Sequence, residues 1–167
     1  MSNASNPDLD RPPKINRTHI SLYVKDPEVS AAWYEDILGM QETARGENLK
    51  WIFMSFGVKH HDIALIKVSS QEQLEHGTLD LQHYGLEIDG DLTELQRLYS
   101  RLLSKKVPIV KITDHKVGIG LYFTDPDGHR LEFFCETIHE NEEGKRILGL
   151  FNAPSDPYSL EPLYPVE

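Results

Sequence analysis

A chain of 167 residues is long enough for one domain with a sizeable core, and 39% hydrophobic with 26% charged residues is ordinary for a globular protein. The formal net charge of -10, with its basic residues scattered, argues against a nucleic-acid partner, and no apolar run approaches the ~20 residues that cross a bilayer. Cys135 is the only cysteine, so an intrachain disulfide is excluded; with no apolar signal-like stretch after Met1, a cytoplasmic location is expected.

Residues 1–14 are polar and read as a flexible N-terminal arm. Over 18–24, alternation predicts a strand with Ile20, Leu22 and Val24 on one face and His19, Ser21 and Tyr23 on the other. Asp26 before Pro27 is a helix start, Val29, Ala32, Trp33 and Ile37 follow at helical spacing, and Gly39 is the stop. Three short strands are expected over 40–44, 50–56 and 61–68.

The same order then repeats. A strand over 81–88 has Tyr84, Leu86 and Ile88 on one face and His83 on the other, and Asp91 caps a helix carrying Leu92, Leu95, Leu98 and Leu102. Strands over 108–112, 118–124 and 130–137 follow, the last two joined by the tight turn Asp125-Pro126-Asp127-Gly128. The expected fold is therefore α+β: two βαβββ modules, about 15–70 and 78–138, in a single domain over 15–151. They would form a curved, cup-like mixed sheet around a metal site. The tail over 152–167 holds Pro154, Pro157, Pro162 and Pro165, which excludes helix and predicts an extended covering segment.

Each module's first strand carries one histidine, His19 or His83, away from its helix-packing face. Glu132 in the last strand lies opposite Leu131 and Phe133, and by parity shares the histidines' side. Two imidazoles and a carboxylate from separate strands make a facial triad that leaves open positions for substrate and oxygen, as non-haem Fe(II) chemistry needs. The same donors suit Mn(II), Zn(II) and other divalent ions. A lone strand histidine is more often structural than a ligand; equivalent positions in two repeats are what strengthen the metal reading.

His115, then Leu121-Tyr122, the Asp125-Pro126-Asp127-Gly128 turn and Glu132 together resemble the signature of type I extradiol ring-cleavage dioxygenases of the vicinal-oxygen-chelate superfamily. Lys59-His60-His61-Asp62-Ile63-Ala64 resembles that family's segment around its acid–base histidine. The resemblance spans roughly 15–137 and implies an active module pair without the additional inactive pair that better-known members carry. It implies His19, His83 and Glu132 as metal ligands, Fe(II) as the metal with Mn(II) or another divalent ion as substitute, and a catechol-type aromatic diol plus O2 as substrates. His61 would remove and return protons, Tyr122 would hydrogen-bond a substrate oxygen, and His115 would orient substrate or Tyr122. The equal spacing of Gly57 to His61 and Gly128 to Glu132 further predicts that His61 occupies in the first module the place of Glu132 in the second. The superfamily also holds glyoxalases, other isomerases, resistance-type thiol transferases and metal-free binding modules, so a non-oxidative metalloenzyme is the competing reading. Edge strands and an acidic surface are compatible with a homodimer. Trp33 is expected in the core, and some of Trp51, Phe53 and Phe56 along a pocket. His60 and His129 are expected to face solvent, and no role is assigned to His76 or His139.

Overall fold

The structure, a computed structural model, describes residues 18–68 and 81–165. The 1–14 arm and His76 lie outside the described residues.

The first module runs β1 (Ile20–Val24), α1 (Pro27–Leu38), β2 (Gln41–Arg45), β3 (Trp51–Ser55) and β4 (Ile63–Lys67), with a single 3₁₀ turn at Glu47–Leu49. Asp26 caps α1 by accepting the backbone N–H groups of Glu28 and Val29. Gly39 ends the helix in the left-handed conformation at φ 69°, which a Cβ would penalise. The second module runs β5 (Tyr84–Glu87), α2 (Leu92–Ser104), β6 (Ile109–Asp114), β7 (Gly118–Thr124) and β8 (Arg130–Glu136). Asp91 caps α2 in the same way, accepting from Thr93 and Glu94.

Each module forms its own sheet, in the orders β1-β4-β3-β2 and β5-β8-β7-β6. The first and last strands of each module pair in parallel and the rest antiparallel. The repeat extends to an irregularity: the register slips between Glu42 and Ala44 in β2 and between Ile109 and Lys111 in β6. One apolar core runs through both modules, with Ile52, Leu65, Leu95, Leu102, Leu121, Phe123 and Leu131 fully buried. Burial of each such side chain contributes about 1.5–3 kcal/mol. Trp33 packs into this core from α1, its ring centroid 6.4 Å from that of Phe123.

The Asp125–Gly128 turn does more than join β7 to β8. Asp127 accepts the Lys25 backbone N–H at 3.1 Å and the Ser30 hydroxyl at 2.9 Å. The buried Tyr34 hydroxyl donates to Asp125 at 2.9 Å and lies 2.7 Å from that of Tyr84. His129, half-buried, donates from Nε2 to the Tyr23 carbonyl at 2.9 Å. The turn thus fastens the second module to β1 and α1 of the first.

The residues after β8 also hold more order than periodicity suggests. A third helix, α3 (Asn141–Leu150), begins at Glu140, whose carboxylate accepts from Glu142 and Glu143. Glutamate is an uncommon cap, and Gly144 and Gly149 dilute the helical signal. Residues 154–165 form no helix, and β9 (Asp156–Pro157) within them adds a fifth strand beside β6.

Burial holds the Asp125 carboxyl above the usual carboxylate range. Its contribution to stability is therefore complete at low pH and lost as the pH rises through that raised value. Tyr34→Phe removes a donor to this buried group and should cost about 1–3 kcal/mol at neutral pH. In urea denaturation the difference from the parent chain should shrink on acidification, as Asp125 takes up a proton and no longer needs the donor.

Candidate metal centre

The face of the second sheet turned away from the helices collects most of the expected site. One row across it reads Lys111, Tyr122, Glu132 and Gly85, set by the registers of β6 on β7, β7 on β8 and β8 on β5. His83, just before β5, reaches the same carboxylate: its Nε2 lies 3.1 Å from Glu132 Oε2. The other ring nitrogen, Nδ1, meets the side-chain oxygen of Gln82. With Nδ1–H donating to that oxygen, Nε2 offers a lone pair toward the carboxylate, an arrangement completed by a proton or a cation.

Two glycines make room for Glu132. A Cβ at Gly120 would collide with Glu132 Oε1 and lie 2.9 Å from the Tyr122 ring, and one at Gly85 would sit 3.4 Å from Oε2. Glu132 and Tyr122 are nonetheless only 8% and 3% exposed. Burial, and then the hydrogen bond to Glu132, push the Tyr122 phenol up to about 12, so it keeps its proton at neutral pH. His115 Nε2 lies 3.0 Å from the Tyr122 hydroxyl and 3.8 Å from Glu132 Oε1. This face therefore offers two donors of the kind a divalent cation takes, His83 and Glu132, with Tyr122 and His115 beside them.

The first sheet carries the other two predicted residues. His19, Ser21 and Tyr23 are exposed on the expected face. His61 stacks on Phe53 with ring centroids 4.5 Å apart and meets His19 edge-on at 5.0 Å. His60 is exposed, with its Nδ1 2.6 Å from that of His61. The structure thus gathers His83, Glu132, Tyr122 and His115 in one group and His19 with His61 in another. Among the described residues no three His, Cys, Asp or Glu side chains are arranged so as to hold a metal ion.

The strand registers overturn the expected equivalence of His61 and Glu132. Ile20 pairs with Ile63 as Tyr84 pairs with Leu131, so the first-module counterpart of Glu132 is Ala64. The matched glycine spacing is coincidental, because the connection from β3 to β4 is longer than that from β7 to β8. By the same registers Phe53 stands where Tyr122 does and Trp51 where Gly120 does. The first module keeps the histidine of this pattern and loses the acid, the phenol and the glycine.

Three contributors went unread in the sequence. Thr113 places its hydroxyl 3.0 Å from His115 Nε2, Lys111 holds its ammonium 4.5 Å from the centre of the Tyr122 ring, and the Pro154 carbonyl sits 2.8 Å from His115 Nδ1. For the first two, alternation in β6 was an available signal; the third is a backbone atom of the tail, which no side-chain pattern announces.

Gly120→Ala should leave the fold intact, because the clash falls chiefly on the movable end of Glu132. It should displace the carboxylate and weaken Mn(II) binding by about 10–100-fold in calorimetric titration, the range for disturbing the support of a metal ligand.

A family model, Glyoxalase/Bleomycin resistance protein/Dioxygenase superfamily, matches residues 16–133. Among curated proteins, Metallothiol transferase FosB of Lysinibacillus sphaericus is 26% identical over 124 residues, covering 73% of this chain and 83% of its own length. Biphenyl-2,3-diol 1,2-dioxygenase 2 of Rhodococcus globerulus is 29% identical over 135 residues, covering 78% and 68%. Among solved structures, the monoclinic form of the fosfomycin resistance protein FosX from Listeria monocytogenes superposes with a TM-score of 0.61 at 22% identity, covering 79% of this chain and 98% of that one. That likeness bears on fold alone. With two βαβββ modules and the family match across both, the chain belongs to the glyoxalase/bleomycin resistance protein/dioxygenase superfamily.

Proposed function

We propose that this protein is an Fe(II)-dependent extradiol dioxygenase that opens the ring of a catechol-type substrate with O2. The observation that carries the reading is the 3.0 Å contact between His115 Nε2 and the Tyr122 hydroxyl, set directly beside Glu132. A protein that only bound a metal would not need a protonated phenol and an imidazole at that place.

In this reading His83, Glu132 and His19 hold the metal. When bound, it supplies Lewis-acid polarisation of the diol and a meeting point for diol and O2. Tyr122, kept protonated, donates a hydrogen bond to a substrate oxygen, and His115 orients substrate or the phenol. His61 accepts a diol proton and returns it to the product, which suits an imidazole at neutral pH. Phe134 and Phe53 offer apolar surface to the ring.

His19 and His61 lie together on the exposed face of the first sheet, with Tyr23 and Trp51 also exposed there. We therefore propose a homodimer in which this face meets the second sheet of another copy, so that each centre draws His19 and His61 from the partner. Mixing His19→Ala chains with His83→Ala chains, each inactive alone, should restore about one intact centre per mixed dimer. Failure to complement, with dimers forming normally, would count against it.

Anaerobic loading with Fe(II), followed by oxygen uptake over a panel of catechols, is the direct test. Uptake with a yellow ring-opened product is expected, with Glu132→Ala and His83→Ala losing it altogether. His61→Ala and Tyr122→Phe should lose about 10²–10⁴-fold in kcat, the usual worth of general acid–base catalysis. No uptake from any catechol despite bound iron would overturn the reading. The likeness to FosB supports a second one, non-oxidative thiol transfer. That would show as Mn(II)-dependent thiol consumption that survives His61→Ala and Tyr122→Phe.

A further inference from the structure

The C-terminal tail reaches the site through one atom. The Pro154 carbonyl oxygen lies 2.8 Å from His115 Nδ1, and a carbonyl can only accept. Nδ1 must therefore carry the proton, and in the neutral ring Nε2 is left bare. That nitrogen faces the Tyr122 and Thr113 hydroxyls, each 3.0 Å away, and lies 3.8 Å from Glu132 Oε1, to which the Tyr122 hydroxyl also hydrogen-bonds.

The carbonyl is held from both sides. Before it, Asn152 and Ala153 adopt left-handed backbone at φ 55° and 48°, a conformation that costs a residue with a Cβ roughly 1–2 kcal/mol. The Ala153 N–H bonds back to the Leu148 carbonyl at 2.8 Å. Beyond it, β9 pairs with β6 and Asp156 meets Lys116 at 3.1 Å. The Tyr158 N–H donates to the Ile112 carbonyl at 3.0 Å, and Leu160 is buried. Further along, the Tyr164 N–H bonds Ser100 Oγ on α2 at 3.0 Å. A strap anchored on α3, β6 and α2 presents one acceptor to one imidazole nitrogen, and two successive strained residues aim it.

We infer that the tail is a positioning element of the site: the Pro154 carbonyl selects the Nδ1–H tautomer of His115, which leaves Nε2 as an acceptor beside the Tyr122 and Thr113 hydroxyls. This rests on the role of His115 and Tyr122 proposed above but extends it to residues outside both modules.

The tautomer can be read without metal, O2 or substrate, so its test is separate from that of the catechol reaction. In the full, metal-free chain labelled with ¹⁵N-histidine, long-range proton–nitrogen spectra at slightly alkaline pH should show His115 with a protonated Nδ1 and an unprotonated Nε2. His115→Asn identifies the resonance. Removing residues 154–167 should return His115 to the Nε2–H majority of a free imidazole. The full-length double variant Ala153→Gly, Asp156→Ala loosens the same strap should the truncation fail to fold, and should shift the tautomer the same way. A parent chain with Nε2–H on His115, or folded variants that all keep Nδ1–H, would overturn the inference.

Discussion

The parallel pairing of β5 with β8 is the interaction on which the site depends. Its register sets Tyr84 against Leu131 and Gly85 against Glu132, and so brings His83, one residue earlier, to the Glu132 carboxylate. Because side chains alternate along a strand, a slip of one residue would send Glu132 into the core and Phe133 out of it. The apolar face therefore holds the polar face in place: Leu131 and Phe133 are fixed by burial, and the carboxylate between them has one direction left. Gly85 and Gly120 matter for the same reason, since the carboxylate occupies the space their missing side chains leave.

The two modules share a backbone down to the slip in the second strand, yet their outer faces have parted. Where the second module has glutamate, tyrosine and glycine, the first has Ala64, Phe53 and Trp51. Only the histidine is common to both. The acid and the phenol thus sit on the second sheet, whereas His19 and, in the longer β3–β4 connection, His61 lie on the first. The proposed dimer follows from that division of labour, because the two groups of residues lie on different sheets.

Outside the repeat, two segments tie the assembly together. The Asp125–Gly128 turn engages Lys25, Ser30 and Tyr34 of the first module through two carboxylates, which locks the modules together beside Tyr84, the first residue of β5. The tail closes the free edge of β6, where an unpaired strand would otherwise offer its hydrogen bonds to another chain. In doing so it brings a backbone carbonyl to His115.

Much of this was legible in the chain. Asp26, Gly39 and Asp91 marked helix ends that the structure keeps, β7 runs over the expected residues, and alternation put His19, His83 and Glu132 on outward faces. Those signals are local: a cap, a turn or a two-residue period depends on neighbours in sequence. What the sequence left undecided depends on long-range register and on backbone atoms. Equal spacing from a glycine suggested that His61 matched Glu132, but pairing between distant strands assigned that place to Ala64. The partner that turns His115 into an acceptor is a carbonyl, identical in every residue, and only the path of the tail picks out which one arrives.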